Sequence, residues 1–224
     1  MSDSEKSSPL RARPQPSQKI GKSERTRAEI LNAALDFLWS RPFSEMTVSA
    51  LMANTPVSRS AFYQYFEDLH EPMTTLLGMV QEEIFVGAEP WIAGVGDPVA
   101  LMHETMGGLV RVCYERGPFI RAISDAAATD RRLGEAWRQF LGAFDEATGA
   151  RIIADQEQGL VPAFNVPPVA FALNRLDAYT LTEAFGQHPR MDPEPVREAL
   201  ARIWISTLYG SEWLGNESSD LVRK

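Results

Sequence analysis

Between Thr47 and Phe66 the chain reads TVSALMANTPVSRSAFYQYF, and two residues of that stretch restrict what it can become. Thr47 and Ser58 each stand just before a short helical run. Each hydroxyl can accept a hydrogen bond from a free backbone N–H in the first turn. Two short helices follow, from Thr47 to about Ala53 and from Ser58 to about Tyr65, joined by a turn of three or four residues. That spacing is a helix-turn-helix.

The side chains suit a reading head. Val48, Leu51 and Met52 pack the first short helix onto the helix before it, and Ala61 or Phe62 together with Phe66 turn the second inward. Ser58, Arg59, Ser60, Tyr63, Gln64 and Tyr65 are then left towards solvent or DNA. In such a unit the second helix enters the major groove, where Arg can give two bonds to guanine and Gln can pair with an adenine edge. Thr47 and Ser58 put hydroxyls beside helix N-termini, where backbone N–H groups attract phosphate. The alternative is a plain helical hairpin with its aromatics in a core. Aromatics at 62, 63, 65 and 66 fall on more than one helix face, so one core cannot hold them all.

The rest of the chain also reads as helix. Residues 1–21, rich in Ser, Pro, Lys, Arg and Gln, form a flexible basic arm. Ile30, Leu31, Ala34, Leu35, Phe37 and Leu38 make an apolar stripe at helical spacing, and Pro42 ends that helix. Asp68 opens a longer helix, with Glu71 at capping-box spacing. Gly and Pro clusters divide the remainder into helices of about 98–115, 118–129, 131–157, 168–187 and 194–213. No stretch alternates long enough for a sheet. The expectation is an all-α chain of about nine helices, with a DNA-binding domain over 22–67, a helical body over 68–214 and a tail over 215–224.

Charge is distributed unevenly. The whole chain carries −8. Residues 1–66 hold nine Lys or Arg against six Asp or Glu, a net of +3, which leaves −11 for the rest. A local positive face is all that phosphate binding needs, and an acidic body repels DNA from the wrong surface.

Enzyme classes find little support. His70, His103 and His188 are scattered, without metal-ligand spacing, and no Gly loop is built to cradle phosphate. No cofactor or metal is expected. The lone Cys113 excludes an internal disulfide and fits a reducing cytoplasm, and no run of about 18 apolar residues suggests a membrane span. The Gly107–Gly108 pair falls inside a helical pattern, where it permits close packing or a kink. A helical binding protein without DNA contacts stays open as an alternative, and it needs 47–66 to be buried.

Three segments carry a resemblance. ERTRAEILNAALDFL (24–38), MTVSALMANTPVSRSAFYQYF (46–66) and the helix after them are similar to the TetR family of transcriptional regulators, FYQYF being the most specific part. The C-terminal half resembles the EthR subgroup through FALNRLDAYTLTEAF (171–185) and RIWISTLYG (202–210). The resemblance implies a homodimer that binds a palindromic double-stranded operator and is released by a small apolar or amphipathic effector. The candidate DNA-contacting set is Lys22, Arg25, Thr47, Ser58, Arg59, Ser60, Tyr63, Gln64, Tyr65 and His70. Two positions depart from the family. Pro56 stands where Gly is usual in the turn, so the turn needs another device, such as Asn54 in the left-handed region. Leu69 stands where Lys commonly holds a phosphate, with His70 as the substitute.

In the C-terminal half, Leu200, Ile203, Trp204, Thr207 and Leu208 can line one face of the last helix, and Leu173, Leu176, Thr180 and Leu181 one face of the helix before. These stripes either pair across a two-fold axis or bury inside one subunit, and the resemblance favours the dimer. Met102, Met106, Val110, Tyr114, Trp137, Phe140, Phe144, Asn174, Asp177 and Trp204 are the candidate ligand-pocket set, with core packing as the alternative for each. Asn174 and Trp204 match residues that line the subgroup's apolar tunnel. Asp177 stands where the subgroup has a second Asn, three residues on. A carboxylate there favours a cationic or hydrogen-bond-donating ligand, unless it pairs with Arg175 or Arg202 or faces solvent.

Overall fold

The computed structural model describes residues 21–210. The arm over 1–20, the end of the expected last helix and the tail lie outside the described residues. Among the described residues there are eight α-helices, one 3-10 turn and no strand. The helices are α1 (Lys22–Leu38), α2 (Val48–Met52), α3 (Arg59–Tyr65), α4 (His70–Ala93), α5 (Pro98–Ala127), α6 (Arg131–Glu157), α7 (Val166–Phe185) and α8 (Pro193–Leu208), with the 3-10 turn at Phe43–Glu45.

Most helix starts are written locally. Asp97, Asp130 and Asp192 cap α5, α6 and α8 through their own carboxylates, and α5, α7 and α8 each have a proline in the first turn. The start of α4 differs by two residues from the expected Asp68. Asp68 is the cap itself, its Oδ1 accepting from the N–H groups of His70 and Glu71 at 2.8 and 3.3 Å. Glu71 reaches back to the N–H of Glu67 at 2.7 Å, one residue beyond the expected box partner.

The expected break at Gly117–Pro118 does not occur, and α5 is one helix of 30 residues. Pro118 has no N–H to give the carbonyl of Tyr114, four residues back. Arg190 supplies that donor from the α7–α8 connection and stacks on the Tyr114 ring at 4.0 Å. Its guanidinium also lies 5.0 Å from the Trp39 ring at the end of α1, so one side chain ties the N-terminal helices to the body. Gly117 lets α7 come close, because a Cβ there would sit 2.2 Å from the carbonyl oxygen of Phe185.

Around Pro90, inside α4, a side chain from the neighbouring helix also serves the backbone. The hydroxyl of Thr105, on α5, accepts from Trp91 N–H at 3.1 Å and donates to the Ala88 carbonyl at 3.3 Å. The α4–α5 crossing is closest at Gly87 and Gly108, where a Cβ on Gly108 would lie 2.6 Å from the Gly87 oxygen. No helix among the described residues is long and apolar enough to cross a membrane.

Candidate DNA interface and effector cavity

The reading head is built from α1 to α3. Thr47 and Ser58 both cap as their positions predict, accepting from Ala50 N–H and Ala61 N–H, each at 3.1 Å. Phe62 is completely buried and Phe66 nearly so, anchoring α3 against α1 and α2. The Arg27 guanidinium lies 5.2 Å from the Phe66 ring and donates to Thr75 on α4, fixing the end of α3. With that side committed, Arg59, Ser60, Tyr63 and Gln64 share the exposed side, and Tyr65 is half-buried. Lys22 and Arg25 are exposed at the start of α1.

The turn does not use Asn54 as expected. No non-glycine residue among the described ones has positive φ. The side chain of Thr55 makes the turn instead: its hydroxyl accepts from Val57 N–H at 3.2 Å and donates to the Met52 carbonyl at 3.2 Å. Proline at 56 fits here because its missing N–H is not needed, and buried Val57 pins the exit.

His70 is used within the protein rather than left towards DNA. Its Nε2 lies 2.6 Å from Oδ2 of Asp130, and its ring meets Phe43 edge-on at 5.8 Å. Asp68 and Asp130 form a reciprocal pair. Each uses Oδ1 to cap its own helix, and each offers Oδ2 to a side chain from the other: Arg132 to Asp68, His70 to Asp130. Burial opposes ionisation of both carboxyls. The hydrogen bonds from the capped N–H groups, Arg132 and His70 outweigh it and hold both below the usual carboxylate range.

Behind the head lies a mainly apolar cavity between α4, α5, α6, α7 and α8, with about 90 Å³ of room for the centre of a water-sized molecule. Of the candidate pocket residues, Met106, Trp137, Phe140, Phe144, Asn174, Asp177 and Trp204 line it. Met102 is buried elsewhere in the core, and Val110 and Tyr114 turn to another groove beside α8, because they sit on different faces of α5. Sequence reasoning missed the contribution of α4, where Ile84, Ala88 and Trp91 form one wall. That helix reads as apolar on most sides, so no single face stood out.

Trp91 is braced from behind. Its indole N–H donates to Tyr209 Oη, which donates to Asp155 Oδ2, both at 2.7 Å. Arg151 lies 2.9 Å from the other oxygen of Asp155 and donates to the Gly94 carbonyl. Burial, reinforced by Asp155, pushes the Tyr209 phenol up, so it stays a neutral donor.

Asp177 is buried, neither solvent-facing nor paired with Arg175 or Arg202. Its Oδ1 accepts from Trp204 Nε1 at 3.0 Å. Arg175 instead grips Asp145 with two bonds, at 2.9 and 3.2 Å. Desolvation pushes the Asp177 carboxyl up to about 7, against the partial relief of the Trp204 bond.

Comparison with known proteins agrees with this arrangement. The family described as transcriptional regulator EthR, C-terminal domain, matches residues 102–210. The HTH-type transcriptional regulator EthR of Mycobacterium tuberculosis is 27% identical over 192 residues, covering 81% of this chain and 86% of that protein. A TetR-family transcriptional regulator from Syntrophomonas wolfei shares the fold with a TM-score of 0.72 at 17% identity, over 83% of this chain and 95% of its own. The chain is similar to TetR-family regulators, and over residues 102–210 to EthR.

The EthR of Mycolicibacterium smegmatis is 25% identical over 188 residues, 82% of this chain and 86% of that protein. Salmonella enterica GusR shares the fold, with a TM-score of 0.69 at 17% identity over 85% of this chain and 99% of its own. The expected dimer faces divide in two. Leu173, Leu181, Leu200, Trp204 and Leu208 are buried in the subunit, because those sides of α7 and α8 turn towards α5 and the cavity. The outward sides carry Phe171, Tyr179 and Ile203, which are 53%, 72% and 38% exposed.

Proposed function

We propose that the protein is a homodimeric, ligand-responsive transcriptional repressor that leaves a palindromic operator when a small apolar or amphipathic molecule enters the cavity. The observation that carries this reading is the course of α4. One helix starts at the reading head with His70 and forms the cavity wall at Ile84, Ala88 and Trp91. From His70 to Trp91 it spans about 30 Å at 1.5 Å per residue. A ligand that displaces the wall therefore tilts the element on which the head is mounted. The coupling is reciprocal, so operator DNA weakens the effector by the same factor.

On the DNA side, Arg59 and Gln64 read bases, while Lys22, Arg25, Thr47, Ser58, Ser60, Tyr63 and Tyr65 address phosphates. A role for His70 would be indirect, through its bond to Asp130. The outward aromatics Phe171 and Tyr179 on α7, with Ile203 on α8, support a two-fold interface of α7 and α8 between copies, since large exposed apolar side chains favour association.

The test is a gel shift of the folded dimer with DNA from upstream of its own gene, at low and moderate salt. A shift that weakens with salt supports the reading. Absence of any shift at low salt refutes it.

A further inference from the structure

The cavity has a polarity that its mainly apolar lining does not explain. Asp177 projects from the middle of α7 among aromatic side chains and is only 6% exposed. Its one hydrogen bond is the Trp204 indole N–H, and among the described residues no cation pairs with it. Arg175 is spent on Asp145 and on the Phe171 ring at 4.3 Å, and Arg151 on Asp155 and Gly94. The other polar groups of the lining cannot neutralise it. Asn174 gives its amide N–H to Asp145 at 3.0 Å. The Cys113 thiol, pushed up to about 12 by burial and the nearby Asp177 charge, stays neutral. Thr182, also in the lining and 8% exposed, has a hydroxyl without a hydrogen-bond partner among the described residues.

A carboxylate enclosed by apolar walls is strongly disfavoured unless a counter-charge reaches it. A ligand can bring that charge. A protonated amine would meet Asp177 directly and lie among indole faces, since Trp91 and Trp204 stand edge to face at 5.7 Å. Its apolar body would follow Phe140 and Phe144. We infer that the effector is a hydrophobic amine, bound as its ammonium by Asp177 with its apolar body along the aromatic wall. This inference rests on the cavity being the effector site. It narrows the effector from any apolar molecule to one with a cationic head, and it makes Asp177 the residue that sets the class.

Three ten-carbon probes that differ only in the head group test it: decylamine, 1-decanol and decanoate. Each is titrated into the full chain at pH 7.5, below its aggregation limit, with intrinsic tryptophan fluorescence as the readout. Binding of decylamine at least about tenfold tighter than 1-decanol, with decanoate the weakest, is the expected order. Asp177→Asn keeps the shape and the acceptor for Trp204. It is expected to remove the preference for the amine while leaving 1-decanol within about threefold, and retained alcohol binding shows that the variant is folded.

Equal binding of alcohol and amine by the wild-type chain overturns the inference but leaves the cavity as an effector site. The same holds if the amine preference survives in Asp177→Asn. Should none of the three probes bind the wild-type chain, both the inference and the assignment of the cavity fall. The wild-type comparison decides the question even if the variant does not fold.

Discussion

Nε2 of His70, at the start of α4, lies 2.6 Å from Oδ2 of Asp130, the cap of α6, sixty residues further along the chain. With Asp68 and Arg132 it fastens two helix starts to each other, one carrying the reading head and the other leading towards the cavity. His70→Ala removes one link and leaves the α6 cap in place. Asp130→Ala removes the link and also strands the N–H groups of Arg132 and Leu133. The second variant is expected to lose more stability, by about 1 kcal/mol, the usual worth of a cap. A double-mutant cycle by urea denaturation is expected to show coupling of about 1 kcal/mol between the two side chains. Additive losses would show that the bond contributes nothing.

The reading helix separates stability from recognition. Ser58→Ala is expected to lower stability by about 1 kcal/mol, because the Ala61 N–H loses its acceptor. Arg59→Ala leaves the core untouched and is expected to relax base preference by about 1–3 kcal/mol at one operator position. Tyr63→Phe is expected to weaken binding to all sequences alike. Gel shifts against a panel of single-base operator variants distinguish these outcomes.

Two adjacent glycines on α5 give opposite forecasts. A Cβ on Gly108 meets the Gly87 backbone at 2.6 Å, and backbone cannot move aside as a flexible side chain does. Gly108→Ala is therefore expected to destabilise by about 1–3 kcal/mol, as overpacking does. At Gly107 the nearest atom is the Arg197 side chain at 4.0 Å, so Gly107→Ala is expected to gain up to about 1 kcal/mol from helix propensity. Urea midpoints of the two variants check the pair, and equal midpoints would contradict the close crossing.

Asp177 and the Asp68–Asp130 pair oppose each other in pH dependence. The folded chain holds the Asp177 proton up to about pH 7, whereas the unfolded chain releases it near 3.8. Between those values the folded state binds more protons, so its stability falls as pH rises, then stays level above about 7. Relative to Asp177→Asn, the wild-type chain is expected to lose roughly 4 kcal/mol across that window. Asp68 and Asp130 are held below their ordinary values. Their contribution is present above the unfolded value near 3.8 and is lost as pH falls through the folded ones. Urea titrations at pH 4, 5.5 and 7.5 on both chains read the difference, and parallel profiles would show that Asp177 is not buried in solution.

Much of the reading head was legible because its signals are local. Thr47 and Ser58 each act on a backbone group three residues away, and Phe62 and Phe66 declare the inner face by helical spacing. The cavity was legible only in part. Trp137, Phe140 and Phe144 recur at helical intervals on α6, but Val110 and Tyr114 share that apolar spacing on α5 and turn elsewhere. Periodicity gives a face and not the neighbour that covers it. Trp91 was missed for that reason, since its partners Thr105 and Tyr209, the latter held in turn by Asp155, come from other segments.

The amino-acid sequence by itself determined the helical class, the caps and the exposed side of α3, because each depends on residues within a turn or two of one another. Only the tertiary structure decided that α5 runs on through Pro118. The unpaired carbonyl of Tyr114 finds its donor in Arg190, 76 residues away. The same holds for Asp177, whose burial depends on α7 and α8 closing over one cavity. A backbone group must be satisfied somewhere, but which distant residue satisfies it is a property of the packed chain.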